Sequence, residues 1–298
     1  METALIKPFL LPDLEITDKK DFLAFNIKKL SPAKAANTYY FNNPKWAEEY
    51  LTFCHRSDHF KSRWETAIGN LKNKIVVDIG CGPGNIFSTI KKRPKLLIGV
   101  DLAPISLSFA KKAGYIPVLA DADDLPFVSD FADVVTLNAT LHHCEDMSAV
   151  LKESARLVKP NGLLITDHDP QLLAWDYRGL AKILWRLRLI VYKIIGHGFH
   201  KSNEQQRAAL ESEIHHKPGH GVTEDFFKAN LEPLGFSVDI YPHNHEVGAE
   251  VFKGKKGKLA FKYKLGHWLS GRNAASNTSA LSLMCIARKN RILSTVSG

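Results

Sequence analysis

At 298 residues, with 45 % hydrophobic and 24 % charged side chains, the chain has room for an α/β domain with a cap, and its composition excludes a fibre or bulk disorder. Four cysteines, Cys54, Cys81, Cys144 and Cys285, are scattered and never form a Cys-x-x-Cys pair. That argues against a disulfide framework or a structural zinc site and for a reducing compartment. A net charge of +9 leaves open an acidic partner: nucleic acid, anionic lipid or a negatively charged substrate.

The N-terminus carries one lysine, no long apolar core and acids close behind, so neither a secretory signal nor a transit peptide is expected. No window offers an apolar run long enough to cross a bilayer, and a cytoplasmic protein is the expectation. Residues 1–72, rich in aromatics and lysines and without strand-like alternation, read as an N-terminal helical cap or lid. Within them, 37–44 reads as a loop and 45–69 as a helical run.

From Lys74 the texture changes. Short aliphatic runs at 75–79, 96–100, 117–120, 133–137 and 162–166 alternate with helical patterns at 85–92, 105–113 and 147–158. Each run is apolar on both faces, as a strand covered by helices on both sides must be. Thr223-Glu224-Asp225 caps a further helix that Gly235 ends, and strands at 236–241 and 280–287 close the chain. The prediction is a doubly wound, mostly parallel seven-stranded α/β sheet over 73–298, with insertions at about 171–217 and 244–277.

The first insertion repeats Leu180, Ile183, Leu184, Leu187, Val191, Ile194 and Ile195 at helical spacing, with Arg178, Lys182, Arg186 and Lys193 largely on another face. Such a stripe packs on its own domain, lines an apolar pocket or lies in a lipid interface, the first two being the commoner fates. Trp175, Trp185 and Tyr192 keep interfacial contact in view. The second insertion has seven basic residues and no acid across 251–272. There Leu259, Phe261, Tyr263 and Leu265 alternate with Lys258, Lys262 and Lys264, predicting a strand with one basic face. Attraction to anionic headgroups would follow from that charge; a solvated lysine face is the commoner outcome.

Ile75-Val76-Val77-Asp78-Ile79-Gly80-Cys81-Gly82-Pro83-Gly84-Asn85 runs a buried strand into a turn with glycine at three alternate positions, then toward a helix. Glycine there allows positive φ and close approach of a ligand to the backbone. A dinucleotide fold would put its third glycine where Asn85 stands, and Asp78 would repel a pyrophosphate but suit a ligand with a positive amino group. Asp101 ends the second strand, where a carboxylate accepts both hydroxyls of a ribose. Asp121 follows the third, where one accepts from an exocyclic adenine amine.

The ordered set Val77–Gly84, Gly99-Val100-Asp101, Asp121-Ala122 with Leu125-Pro126-Phe127, Asp133-Val134-Val135 leading to Asn138 and Leu141-His142-His143, and Arg156–Leu164 resembles the class I S-adenosylmethionine-dependent methyltransferases. The likeness is to the branch acting on small molecules and quinones. It is dense over 74–170 and looser over 223–288, and it implies the Rossmann-like fold of that family with S-adenosylmethionine as cofactor. By that resemblance Asp78 and the loop of Gly80, Cys81, Gly82 and Gly84 hold the methionine part. Asp101 binds the ribose with Leu102 beside the adenine, Asp121 and the Ala122 amide read the adenine, and Asn138 flanks the sulfonium. Asn161 replaces the commoner glycine of the family's Lys-Pro-Gly-Gly turn, and asparagine tolerates left-handed backbone.

Proton removal from an acceptor calls for a base, and His143, then His142, are the candidates. Tyr39, Tyr40 and Trp46 resemble the aromatic lid of such enzymes. Trp175 in the first insertion and His220, near His215 and His216, are further candidates to line the acceptor. His243 and His245 would share a strand face, but no acid accompanies the histidines at ligand spacing, so no metal is assigned. The function expected is methyl transfer to a small apolar or amphipathic acceptor, with contact to an anionic membrane surface as an open partner reading. An RNA methyltransferase is a weaker alternative, because Asn138-Ala139-Thr140-Leu141 stands where an Asn/Asp-Pro-Pro-Tyr string would hold a flipped base. A noncatalytic cofactor-binding scaffold is the third reading.

Overall fold

A computed structural model describes the chain except for residues 1, 28–29, 53–56, 196–202, 204–205, 208–210, 212–218 and 292–298. The predicted βαβ rhythm forms a sheet of nine strands rather than seven, in the order β1-β2-β5-β4-β3-β6-β7-β9-β8. Its parallel centre comprises β3 (Ile75–Ile79), β4 (Leu96–Asp101), β5 (Ile116–Leu119), β6 (Ala132–Asn138) and β7 (Val158–Asp167). On the far side, β9 (Ser282–Lys289) runs antiparallel between β7 and β8 (Phe236–His243).

The two extra strands come from the N-terminal region, which is therefore not wholly helical. β2 (Leu23–Ala24) pairs parallel with β5, and β1 (Thr17–Asp18) turns back on β2. At two residues each they are too short to show an alternation, and β5 supplies the edge that holds them. Strand order reverses between β4 and β6 on either side of β3, and the crevice at the carboxyl ends there is where open α/β sheets bind ligands.

Four further expectations are corrected. Residues 37–41 belong to a helix, α2 (Pro32–Phe41), whose start is set by Ser31: its hydroxyl accepts the Lys34 N–H at 3.3 Å, and Pro32 occupies the first turn. The helical run at 45–69 is broken into α3 (Pro44–Tyr50) and α4 (Asp58–Ile68), the latter capped by Ser57. No regular helix forms at 85–92. Gly82–Thr89 winds as successive turns, in which the Phe87 N–H goes to the Tyr115 hydroxyl at 3.3 Å instead of a carbonyl one turn back. The basic strand expected at 258–265 is instead α10 (Phe261–Leu269). Phe261, Leu265 and Trp268 stand at i, i+4 and i+7, a helical face that the shorter alternation hid.

The remaining helices are a short α1 (Glu2–Ile6) and, following the sequence closely, α5 (Pro104–Lys112), α6 (Met147–Leu157), α8 (Gly179–Ile195) and α9 (Glu224–Leu231), with a short α7 (Leu172–Trp175) after β7. Thr223 caps α9, and Gly235 leaves its end with φ 82°. Core residues lie on both sheet faces, with Val77, Ile79, Ile98 and Leu137 in one cluster and Val76, Ile86, Phe87 and Ile165 in the other.

Candidate active site

The glycine turn leaves β3 at Ile79. Gly80 has φ 65°, and a Cβ there would meet the Thr140 side chain at 2.4–2.5 Å. Thr140 is held in place, its hydroxyl donating to the carbonyls of Ile79 at 3.1 Å and Asn138 at 3.2 Å. Glycine alone lets the loops after β3 and β6 touch here. Beneath the turn, Asp78 is 1 % exposed and accepts from Thr136 and Tyr115 hydroxyls, each at 2.7 Å. Burial pushes its carboxyl up to about 7 in spite of both donors. Asp78 thus braces the turn from below.

Asp101, at the end of β4, accepts the Gly82 N–H on Oδ2 at 2.8 Å and the Ala103 N–H on Oδ1 at 2.9 Å. These bonds fix the carboxylate plane, and each oxygen retains a second acceptor direction. Burial pushes this carboxyl up, opposed by its backbone donors. Asp121, after β5, is met by Lys34 of α2, which also bonds Asp123 at 2.9 Å. Burial pushes the Asp121 carboxyl up, Lys34 pulls it down, and Asp123 adds repulsion.

Helix α2 is tied to both rims. Asn37 donates to the His143 carbonyl at 3.1 Å, and the Phe41 ring meets the His143 ring edge-on at 5.4 Å. Opposite, Asn42 accepts the Ile105 N–H at 2.9 Å and Ser106 donates to the Phe41 carbonyl at 2.9 Å. Between α2 and the strand ends lies an open cleft of about 830 Å³. It brings together Gly80, Gly82, Asp101, Leu102, Asp121, Ala122 and His143 from the sequence reading.

Other candidates stand off that wall. Cys81 and Gly84 serve the turn's packing: Cys81 lies under Gly99, and Gly84 faces Ala113 and Tyr115. Asn138 is buried one position before the cleft-lining Ala139. His142 is buried with its Nδ1 2.8 Å from Asp169 Oδ1, which also accepts the His142 N–H at 3.1 Å. Burial holds His142 down to about 3 and pushes Asp169 up to about 7. The rings of His142 and His143 are 4.0 Å apart. Tyr39 is 55 % exposed, and Tyr40 packs on Phe41 and Trp46. Trp175 donates to the Leu281 carbonyl at 3.1 Å and joins Trp185 and Tyr263 below the inserted helices. His220 is half-buried outside the cleft lining, while His215 and His216 lie outside the described residues.

Lys34, Asn37, Phe41, Asn85 and Asp169 escaped the sequence reading. Ser31-Pro32 signalled where α2 starts, but nothing local told which of its faces meets the cleft. A buried network was also missed. Asp167 accepts from Arg63 at 2.9 Å, lies 2.6 Å from His243 Nε2, and accepts the His168 N–H at 2.7 Å. Arg63 also donates to the Val247 carbonyl at 2.5 Å. Burial would raise the Asp167 carboxyl, but Arg63, His243 and His168 hold it well below the usual range. This network stitches α4 to the ends of β7 and β8, so His243 is a structural partner there.

A methyltransferase-domain model matches residues 77–166. Two ubiquinone biosynthesis O-methyltransferases are similar to part of the chain. That of Nitrosomonas europaea is 35 % identical over 105 residues (32 % of this chain, 43 % of that protein). That of Stutzerimonas stutzeri is 30 % identical over 141 residues (44 % and 60 %). The chain thus spans less than two thirds of either relative. The fold resembles a Haemonchus contortus phosphoethanolamine N-methyltransferase at TM-score 0.53 and 15 % identity, covering 89 % of this chain and 61 % of that one. Residues 77–166 thus carry a methyltransferase domain of the class I S-adenosylmethionine-dependent family.

The methyl donor of that family is S-adenosylmethionine. The cleft fits it on three observations. Asp101 offers two fixed oxygens to a vicinal diol at the end of β4. The Gly80 cradle leaves a space that a Cβ would fill. Asn85 lines the cleft with a buried Oδ1 that has no hydrogen-bond partner among the described residues, an acceptor suited to an amino group. Gly80, Gly82 and Asn85 would then hold the amino-acid end, Asp101 the ribose, and Asp121 with Ala122 the adenine. No helix among the described residues is long and apolar enough to cross a membrane.

Proposed function

We propose that the protein methylates a small apolar or amphipathic acceptor by in-line displacement, the acceptor entering under the lid formed by residues 1–72. Bound S-adenosylmethionine would supply an electrophilic methyl group. The chain's own part is alignment and exclusion of water, and well-oriented reactants alone lower a barrier by roughly 7–11 kcal/mol. Phe41, Cys144 and Val150 give the wall around His143 an apolar character. The observation that carries the reading is that His143 shares one cleft with Asp101 and Asp121, the two acids we assign to the cofactor's nucleoside end.

His143 is the residue we assign to accept the acceptor's proton, with His142 and Asp169 behind it as positioning residues. The relatives named for ubiquinone biosynthesis support a hydroxyl-bearing apolar ring as acceptor. Incubation with methyl-labelled S-adenosylmethionine and a cell extract, followed by mass spectrometry, should yield one labelled small molecule. His143→Ala should lower turnover by about a hundredfold or more while leaving cofactor affinity within a few-fold. Saturable cofactor binding with no labelled product in any extract would instead establish a scaffold.

A further inference from the structure

We propose that the inserted helices α8 and α10 form a docking face for an anionic lipid bilayer, whichever molecule accepts the methyl group. The two helices pack on each other over an aromatic layer in which Tyr177 is buried and Trp175, Trp185 and Tyr263 are half-buried. Trp185 lies 5.7 Å from Trp175 and 5.1 Å from Tyr177, and a Cβ on Gly266 would meet Tyr177 at 2.5 Å. Ala181, on that inner face of α8, is 4 % exposed. The inward side of the pair is thus already packed.

The outward side is not. Seven aliphatic side chains of α8, among them Leu180, Leu184 and Leu187, are exposed, from 46 % at Leu184 to 78 % at Ile194. On α10, Phe261 and Trp268 are 77 % and 72 % exposed. Soluble proteins rarely leave apolar side chains standing together on neighbouring helices unless something covers them. The side chains of Leu189, Tyr192, Lys193 and Ile195 lie outside those described.

Charge selects the occupant. Residues 177–195 hold five basic residues and 251–272 hold seven, with no acid in either, while the remainder has 28 basic against 31 acidic residues. The chain's positive excess therefore resides in these two segments. Lys182, Arg186, Lys262 and Lys264 are exposed beside the apolar positions. The neighbouring acid, Asp176, is paired with Arg178 and Arg272 at 3.1 and 2.8 Å. Apolar tips with lysines, arginines and an exposed tryptophan around them match a helix lying in a headgroup layer, aliphatics in the acyl boundary and cations at phosphates. A second copy of this face would bring like charges together. Ribonucleic acid would pair with the cations but leave the aliphatics in water, because its stacking surfaces want aromatic platforms.

Full-length protein should sediment with vesicles of phosphatidylcholine containing about one-third phosphatidylserine, and at least about tenfold less with phosphatidylcholine alone. Leu184→Glu with Leu187→Glu, and separately Lys182→Glu with Arg186→Glu and Lys262→Glu, should each reduce vesicle binding about tenfold or more. Because these side chains are exposed, melting temperature and cofactor affinity should stay unchanged. Trp268 emission should shift to the blue on binding. The proposal is overturned if the protein stays in the supernatant with mixed vesicles, or if both variants bind like the parent. It is equally overturned if the face instead binds an RNA oligonucleotide, or if Leu184→Glu with Leu187→Glu only dissociates a dimer.

Discussion

The carboxyl edge of the sheet and the α8–α10 pair treat their side chains in opposite ways. Around the glycine turn, apolar groups are hidden and polar ones tied down: Ile79 is 0 % exposed, Asp78 accepts two hydroxyls, and Asp101 accepts two backbone N–H groups. On α8 seven of the described aliphatic side chains face water, with lysines and arginines around them. A surface with every donor and acceptor fixed suits one small ligand of set shape. A surface of apolar tips and long cationic stems suits a partner without set shape, because neither needs a unique register.

Asp101→Ala should separate the two regions most sharply. It removes both oxygens proposed to bind the ribose and leaves the Gly82 and Ala103 N–H groups without their carboxylate. Hydrogen bonds to charged groups are worth about 1.5–3 kcal/mol each, so cofactor affinity by calorimetry should fall by about two orders of magnitude or more. Vesicle binding should be untouched. Conversely, Lys255→Ala with Lys256→Ala and Lys258→Ala should leave cofactor affinity intact. A variant of one region that disables both would break the contrast.

Gly80→Ala comes next. The added methyl would meet Thr140 at 2.4 Å, and the alanine would have to hold φ 65°. Since Thr140 is β-branched and hydrogen-bonded, relief requires moving the loop after β6. Thermal unfolding should show a loss of about 1–3 kcal/mol, with weaker cofactor binding. Unchanged stability and affinity would show that the two loops are not closely fitted at Gly80.

Asp169→Asn tests the layer behind His143 through its pH dependence. Burial raises this carboxyl from an unfolded value near 4 to about 7. Its contribution to folding is therefore fully present below about pH 4 and is lost as pH rises through about 7. His142 has the opposite sign: held down to about 3, it favours folding above about pH 6.5 and loses that contribution as pH falls toward 3. The histidine remains in both proteins, so the difference reports the carboxyl. The melting temperature of Asp169→Asn relative to the parent should climb by about 2 °C or more between pH 4.5 and 7.5. A flat difference would mean that the carboxyl is already ionised in the folded protein.

The same contrast explains what the sequence made legible. Gly80 to Gly84, Asp101 and Asp121 sit at strand ends, and strand ends are marked by local pattern, so both their places and their shared edge followed from spacing. Asn161 likewise takes its left-handed conformation, φ 64°, as an asparagine in a tight turn does. Asp78 was legible as an acid before the turn, but not as one buried against Tyr115, a residue 37 positions away. Arg63 meeting Asp167 across 104 positions has no local sign. In α10 the period-two alternation of lysines outvoted the i, i+4, i+7 apolar face, and only packing against α8 decides between them. Periodicity finds amphipathic helices; whether the apolar side turns in or out is a tertiary question.

Lys34→Met should produce the smallest effect, at the point where the lid meets the cofactor edge. Lys34 is the one described cation bonded to Asp121, and it bridges to Asp123. Burial works against its charge, yet the two carboxylates hold its ammonium above the ordinary lysine value. An adenine amine reaching Asp121 must share or displace that contact. Methionine keeps the stem against the lid but frees the carboxylate, so cofactor affinity should tighten by about two- to fivefold, in line with one partly exposed ion pair of about 0.5–1 kcal/mol. The gain should shrink at high salt, because the pair it removes is itself screened. Weaker binding in the variant would mean that Lys34 closes α2 over the bound nucleoside, placing the lid's stability, and no longer competition at Asp121, in control of affinity.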